Sequence, residues 1–293
     1  MNQNVEEMLR LLDLEPIERN IYRGQNRDIG SGRVFGGQVL SQALVAARRT
    51  VETEREAHSL HGYFILPGDL EAPIVYFVDR LRDGGSFSTR RVTAIQHGET
   101  IFNLSASFHS PQEGLEHQVD PPEAPSPESL TPELERIRAV ADRIPGELRA
   151  VLTQDRPIDF RVVDPADLFE PEPSEPRRMT WFRALGALPD SSLVHQAVLA
   201  YASDYGLLAT VLRPHGLSLR DERIQVASLD HALWFHRSFR ADEWLLYVAD
   251  SPTAAHARGF ARGSIFTRNG DLVASVAQEG LTRRSRSVSE VRP

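Results

Sequence analysis

The sequence contains no cysteine among its 293 residues. This absence excludes disulfide bonds, thiolate metal ligands and cysteine nucleophiles together. Residues 1–18 are acidic and amphipathic, and they lack the basic start and the apolar stretch of a secretory signal. We therefore expect a cytoplasmic protein.

Long hydrophobic runs are also absent. The longest weakly polar stretch, residues 191–212, contains Ser, His, Gln, Asp and Tyr, so it favours a buried helix over a membrane span. The formal net charge of -8 argues against nucleic acid as a general partner. With 41% hydrophobic and 25% charged residues, the composition is typical of a soluble globular protein, and the length of 293 residues favours two domains of ordinary size.

A stretch rich in Pro, Glu and Ser, residues 109–129, lacks apolar periodicity and is typical of a linker. A short helix is predicted after it, with Thr131 as its cap and Pro132 in its first turn. The last residues offer no core side chain and are expected to fray. The predicted divisions are an N-terminal module (1–112), a linker with a short helix (113–154), a C-terminal module (155–284) and a tail (285–293).

The two modules show the same order of elements. In the first, a helix of small apolar residues over 33–51, entered through Gly36 and Gly37, precedes four stretches rich in β-branched and aromatic residues. In the second, a strand at 158–163 and a helix over 191–212 precede four such stretches. The four β-rich stretches of each module are 57–66, 73–84, 87–98 and 100–109, and then 224–236, 243–250, 257–268 and 272–282.

Sequence similarity between the modules indicates an internal duplication. A shift of 171 residues takes Tyr76 to Tyr247 and Asp79 to Asp250. The glycine of a predicted hairpin, Gly98, matches Gly270 one residue later. A buried helix with an antiparallel sheet in each module predicts an α+β protein.

Several segments in order carry a resemblance to a known family. "RVFGGQVLSQALVAA", "HSLHGYFILPGD", "YASDYGLLATVLRPHG", "SLDHALWFH" and "VASVAQEG" are similar to the acyl-CoA thioesterase II family, a bacterial family with peroxisomal relatives. The resemblance implies a double hotdog, in which each module wraps a curved antiparallel sheet around a central helix. It also implies hydrolysis of fatty acyl-CoA thioesters to free acid and CoA, without a metal ion or other cofactor.

The family's catalytic residues fall on Asp204, Ser228 and Gln278 of this sequence. Ser228 stands where many members have Thr, so the hydroxyl is kept and the methyl that restricts its rotamer is lost. Thioester hydrolysis needs an attacking water, a group that accepts its proton and donors for the developing oxyanion. Asp204 is expected to accept the proton, and apolar surroundings would make it more basic. Ser228 and Gln278 can both donate and accept, so they can hold the same water or the carbonyl oxygen.

A serine nucleophile, a shared metal site and a hydratase are alternative roles for the polar residues. Direct attack by Ser228 would need a base such as His231, but residues three apart on a strand lie on opposite faces. The same spacing separates His58 from His61 and argues against a shared metal site. A hydratase of the same fold would use an Asp–His pair, and His215 is far from Asp204 in the sequence.

A non-catalytic acyl-CoA binding or sensor protein is a further alternative. Three kinds of residue are candidates for substrate binding. Gly36 and Gly37 can offer backbone N–H groups to negative oxygens, although their small size can also serve close packing. The other candidates are His58 and three arginines, which could hold the CoA phosphates. These arginines are Arg90, Arg258 and Arg262. Hotdog modules pair their sheets across a shared edge, which a double hotdog can do within one chain, and further association into a homo-oligomer is expected.

Overall fold

The structure is a computed structural model that describes residues 2–30 and 32–285. In these residues thirteen strands form one antiparallel sheet, and two apolar helices lie against it. The helices are α1 (Gln3–Leu12), α2 (Gly36–Arg48), α3 (Glu133–Ala139), α4 (Gly146–Leu152), α5 (Ser192–Ser203) and α6 (Leu207–Leu212). The strands are β1 (Glu15–Glu18), β2 (Ile21–Gly24), β3 (Glu56–Phe64), β4 (Ile74–Asp83), β5 (Phe87–Gln96), β6 (Glu99–His109), β7 (Ile158–Val162), β8 (Arg177–Ala184), β9 (Ile224–Ser228), β10 (Asp230–Phe235), β11 (Leu245–Ala255), β12 (Arg258–Thr267) and β13 (Leu272–Arg284).

The two central helices, α2 and α5, are apolar over most of their length because both are buried. Every residue from Gly37 to Ala47 in α2, and every residue from His195 to Ser203 in α5, is buried. Small side chains let the two helices pack against each other as well as against the sheet. Each module therefore contributes one helix to a common core.

The sheet runs from the first module into the second through β3 and β10. Leu60 of β3 lies opposite Leu233 of β10, and both side chains are fully buried. The strand order is β1-β2-β4-β5-β6-β3-β10-β13-β12-β11-β8-β7, with β9 paired to β13. This arrangement of two helices and one continuous antiparallel sheet confirms the predicted α+β double hotdog.

The internal duplication is visible in the strand register. Tyr76 lies opposite Ala94 in β5, and Tyr247 lies opposite Ile265 in β12, at the same shift of 171 residues. Asp79 pairs with Arg91, and its counterpart Asp250 pairs with Arg262. Gly98 and Gly270 both adopt positive φ, of 79° and 97°, in the turns that join the equivalent strands.

A β-bulge interrupts the stretch that was predicted as one strand over 224–236. From Ser228 to Ala232 the chain advances four residues, whereas β13 advances three from Gly280 to Ala277. The extra residue reverses the alternation of side chains, so Ser228 and His231 both face the interior. The prediction that they lie on opposite faces is therefore wrong.

An equivalent irregularity between Ala57 and Ser59 corrects the prediction for His58 and His61. His58 Nε2 is 2.8 Å from Ser107 Oγ. His61 lies opposite Ser105, two residues from Ser107 on the same strand, so both histidines point to the outer face of the sheet. The ring of His61 packs edge-on against Trp234, with centroids 4.9 Å apart.

Several predicted boundaries also differ. The helix over 191–212 is two helices, α5 and α6, separated at residues 204–206. The linker contains α3 and α4, and Thr131 does not cap α3, which begins after Pro132 without a side-chain cap. Strands β1, β2 and β8 were not predicted. The predicted frayed tail lies outside the described residues except for Ser285.

No helix within residues 2–30 and 32–285 is long and apolar enough to cross a membrane. In the same residues, no group of three or more His, Asp or Glu side chains is arranged to hold a metal ion.

Candidate active site

Asp204 lies at the end of α5, where the chain leaves one helix and enters the next. It is the C-cap residue of α5, and its side chain is 6% exposed. Gly206 follows with φ of 78°, which permits the sharp change of direction before α6. The helix break thus holds a carboxylate at the edge of the core rather than in solvent.

Gln278 joins the carboxylate to Ser228. Its Nε2 donates to Asp204 Oδ1 at 2.6 Å and to Ser228 Oγ at 3.1 Å. A carboxylate accepts hydrogen bonds only, so the amide nitrogen of Gln278 must face Asp204. The structure therefore brings the three residues together, although they come from the end of α5 and from strands β9 and β13.

This pattern leaves two groups of the site with unused hydrogen-bonding capacity. Ser228 Oγ accepts from Gln278, so its own O–H remains free to donate. Gln278 Oε1 is buried and has no partner within the described residues. A small polar molecule beside Asp204 could receive a hydrogen bond from Ser228 and donate one to Gln278 or Asp204.

The N-terminus of α2 borders the same site. A Cβ built on Gly36 would lie 2.7 Å from Asp204 Oδ2 and 2.9 Å from the Phe64 ring. A Cβ on Gly37 would collide with the carbonyl oxygen of Tyr201 in α5. Close packing explains both glycines: Gly36 lies against the end of α5 and against Phe64 of β3, and Gly37 lies against α5. The first N–H groups of α2 have no intrahelical acceptor, so they can still donate to a ligand here.

His231 is the residue of the site that sequence reasoning considered only as a partner of Ser228. It is fully buried, and its Nδ1 lies 3.8 Å from Asp204 Oδ1. Burial lowers the pKa of His231, whereas the charges of Asp204 and Asp230 raise it. The available signal in the sequence was a histidine among apolar residues in "SLDHALWF". Because the bulge was not recognised, the predicted alternation assigned His231 to the wrong face of the sheet.

A polar cluster fixes the residue after Asp204 to the linker. Tyr205 donates to Glu133 Oε2 at 2.8 Å, and Arg156 donates to the Tyr205 oxygen at 2.6 Å. Arg178 lies 3.6 Å from Glu133. Burial raises the pKa of Tyr205 far above its usual range, so its hydroxyl stays protonated. Sequence reasoning missed this cluster, because a linker was assumed to be a spacer.

The first module carries no equivalent of this site at the corresponding register positions. Gln278 lies opposite Ala261, whereas the equivalent pair in the first module is Ala106 opposite Arg90. Ser228 lies opposite Gly280, and the equivalent pair is Ala57 opposite Phe108. Within the described residues, the arrangement of Ser228 and Gln278 beside Asp204 therefore belongs to the second module, and the helix of the first module borders it.

Arg90 was a candidate for binding the CoA phosphates, and its position contradicts that role. Its side chain is 1% exposed, and it donates to Thr50, to the carbonyl oxygen of Arg82 and to Asp83. All these bonds lie inside the first module. Arg90 therefore fills the core position that corresponds to Ala261.

The other two arginine candidates lie outside the site. Ala261 lies opposite Gln278 and faces the interior. Arg258 and Arg262 are three residues and one residue from Ala261 on the same strand, so their side chains point to the outer face of the sheet. Arg258 pairs with Glu279 at 3.0 Å and Arg262 with Asp250 at 2.9 Å. The structure does not bring them, or the outward-facing His58, to Asp204.

Comparison with known proteins identifies the family to which this chain is similar. A family model for acyl-CoA thioesterase matches residues 150–281, and a model for the acyl-CoA thioesterase N-terminal domain matches residues 25–109. Acyl-CoA thioesterase 2 of Haemophilus influenzae is 39% identical, over 97% of this chain and 100% of its own length.

This chain belongs to the acyl-CoA thioesterase family. Acyl-coenzyme A thioesterase 8 of Mus musculus is 41% identical over 96% of this chain and 90% of its own. The crystal structure of acyl-CoA thioesterase II TesB2 from Mycobacterium marinum is similar with a TM-score of 0.78 and 46% identity, covering 96% of this chain and 98% of that one. The resemblance identified from the sequence is confirmed, and acyl-CoA thioesterases are hydrolases that act on thioesters.

Proposed function

We propose that this protein hydrolyses fatty acyl-CoA thioesters to free acid and CoA by attack of a water held by Asp204, Ser228 and Gln278. The observation that carries the proposal is the polar site in which Gln278 donates hydrogen bonds to both Asp204 and Ser228. Membership of the acyl-CoA thioesterase family supports the substrate class.

In this mechanism Asp204 accepts a proton from the water as its oxygen attacks the thioester carbonyl carbon. Gln278 Oε1 accepts the water's second hydrogen, which leaves a lone pair free for attack. The Ser228 hydroxyl and the N–H groups of Gly36 and Gly37 are the donors available to the oxyanion. The C–S bond then breaks, and the thiolate is a comparatively stable leaving group, so a strong general acid is unnecessary.

Release of free thiol from octanoyl-CoA tests this proposal against a sensor. A hydrolase liberates one thiol for each acid formed, under repeated turnover. Binding of octanoyl-CoA without release of thiol would overturn the proposal and favour a non-catalytic sensor.

A hotdog-fold hydratase is the second candidate, because His231 lies beside Asp204 although His215 does not. Its Nδ1 is 3.8 Å from Asp204 Oδ1. The same preparation should be given 2-octenoyl-CoA and assayed for hydration of the double bond. Hydration with no thiol release would establish the hydratase instead.

Substitutions at Ser228 should separate its hydroxyl from its size. Ser228→Ala removes the group that accepts from Gln278 and donates to the water or oxyanion, so kcat should fall by about 10-fold or more. Ser228→Thr keeps the hydroxyl and should retain activity within a few-fold of the native enzyme. Steady-state kinetics with octanoyl-CoA check both, and equal activity of the Ala and native proteins would exclude a role for this hydroxyl.

The cytoplasmic location and the homo-oligomer remain predictions from the sequence. Of the candidates for binding CoA, we retain Gly36 and Gly37 beside Asp204.

A further inference from the structure

His231 occupies a position that the proposed water mechanism does not use. It is fully buried on β10, beside the end of α5. Nε2 lies 2.9 Å from Ser203 Oγ, and Nδ1 lies 3.8 Å from Asp204 Oδ1. The ring thus contacts two consecutive residues, one of them the candidate base.

Hydrogen bonding at Ser203 assigns the tautomer of this histidine. The Ser203 hydroxyl donates to the carbonyl oxygen of Ala200 at 2.9 Å, which uses its one hydrogen. With the Ser203 hydroxyl donating to Ala200, we assign the hydrogen of the ring to Nε2, which then donates to Ser203 Oγ at 2.9 Å. Nδ1 is left with a lone pair, buried and without a hydrogen-bond partner in the described residues. Because burial lowers the pKa of His231, the ring is neutral near pH 7.

Two hydrogen-bond acceptors therefore face each other with no proton between them. An unpartnered buried acceptor is unfavourable, and one proton placed between Nδ1 and Oδ1 would satisfy both. The present separation exceeds a hydrogen bond by under 1 Å. Proton transfer from the nucleophilic water to Asp204 supplies that proton.

We propose that His231 is a positioning residue that acts through Asp204 by sharing the proton taken from the nucleophilic water. The inference rests on the proposed thioesterase function. The water O–H bond breaks, its oxygen bonds to the carbonyl carbon, and the proton lies between Asp204 Oδ1 and His231 Nδ1. When the C–S bond breaks, the sulfur leaves with the electron pair and takes up this proton, which returns the pair to its initial state.

The other charged and titratable groups around His231 are already engaged. Asp230, the preceding residue, accepts from the N–H of Glu279 at 2.6 Å. Tyr247 on β11 donates to the carbonyl oxygen of Ser203 at 3.0 Å. Arg178, whose charge acts on Tyr247, is held by Glu133. Asp204 is therefore the acceptor with which His231 can share a proton.

The proposal predicts a change in the pH profile as well as in rate. A proton shared by two acceptors is held more tightly than one bound to Asp204 alone, and the active form is the pair without it. His231→Gln retains a group that can reach Ser203 and loses Nδ1. We expect kcat for octanoyl-CoA to fall about 10-fold or more, KM to stay within about twofold, and the acid limb of kcat/KM to move to lower pH by about one unit.

Two further variants make this test independent of a folding defect. Ser203→Ala leaves His231 in place but removes the acceptor of Nε2–H. The tautomer with its hydrogen on Nδ1 is then favoured, because this hydrogen can be donated to Asp204. In this tautomer Nδ1 has no lone pair with which to take up the proton of the water. This variant should show the same shift of the acid limb. His236→Gln is the matched control, because His236 makes a similar 2.8 Å contact with Ser275 Oγ on the outer face and should leave the profile unchanged.

The outcomes distinguish this inference from the proposed function. Thiol release by the native protein in the same assay establishes the hydrolase. A loss of kcat in folded His231→Gln and Ser203→Ala with an unmoved acid limb would mean that His231 is only structural, and it would overturn the inference. Native kinetics in both variants would overturn it as well.

Discussion

Replacing Asp204 by Asn should lower kcat for octanoyl-CoA by about 10²- to 10⁴-fold, the usual contribution of a general base. The amide has nearly the same shape as the carboxylate and can present an oxygen to Gln278, so the bond now 2.6 Å long can persist. It cannot accept the proton of the attacking water. Thiol release measures the effect, and the midpoint of thermal unfolding checks that the protein remains folded.

Asp79→Asn provides the matched control for this change. Asp79 is exposed and pairs with Arg91 at 2.8 Å on the outer face of the first module. The same chemical substitution there should leave kcat within twofold. Full activity of Asp204→Asn would remove this carboxylate from the mechanism.

Replacing Gly37 by Ala should destabilise the protein by about 1–3 kcal/mol or more, because it overpacks the contact between the central helices. The added methyl would collide with the carbonyl oxygen of Tyr201 and lie 2.6 Å from the Phe35 ring. The backbone oxygen cannot rotate away as a side chain could, so α2 and α5 must separate. Urea unfolding should show a lower midpoint at an unchanged m-value.

Gly85→Ala is the corresponding control, since a Cβ there would meet no heavy atom within 4 Å in the described part of the chain. Its unfolding midpoint should be close to that of the native protein. An unchanged midpoint for Gly37→Ala would contradict the close helix contact on which the shape of the site depends.

Much of the fold could be predicted because hydrophobic spacing and the internal repeat agree. The shift that relates Tyr76 to Tyr247 corresponds to equivalent strands with equivalent neighbours. Strands β1 and β2 were missed because each has only four residues, too few for an alternating pattern to emerge. In β8, charged residues precede the apolar ones, so the sequence lacks the apolar pattern that would predict a strand.

The proximity of Asp204, Ser228 and Gln278 was predicted from the family resemblance rather than from spacing. Spacing failed at His231 because a single inserted residue reverses every later side chain, and a bulge leaves little trace in sequence. Charge was equally misleading at Arg90. An arginine in a strand predicts exposure, but this one donates to Thr50, which is buried and 40 residues away, and to Asp83 on the neighbouring strand.

Hydrolysis of octanoyl-CoA in ¹⁸O-labelled water tests the proposed water mechanism most directly. Mass spectrometry of the quenched reaction should find the label in the octanoic acid from the first turnover and no acyl group on the protein. The water held by Asp204, Ser228 and Gln278 supplies that oxygen. An acylated peptide containing Ser228, formed and consumed at the rate of turnover, would contradict the account and make Ser228 the nucleophile.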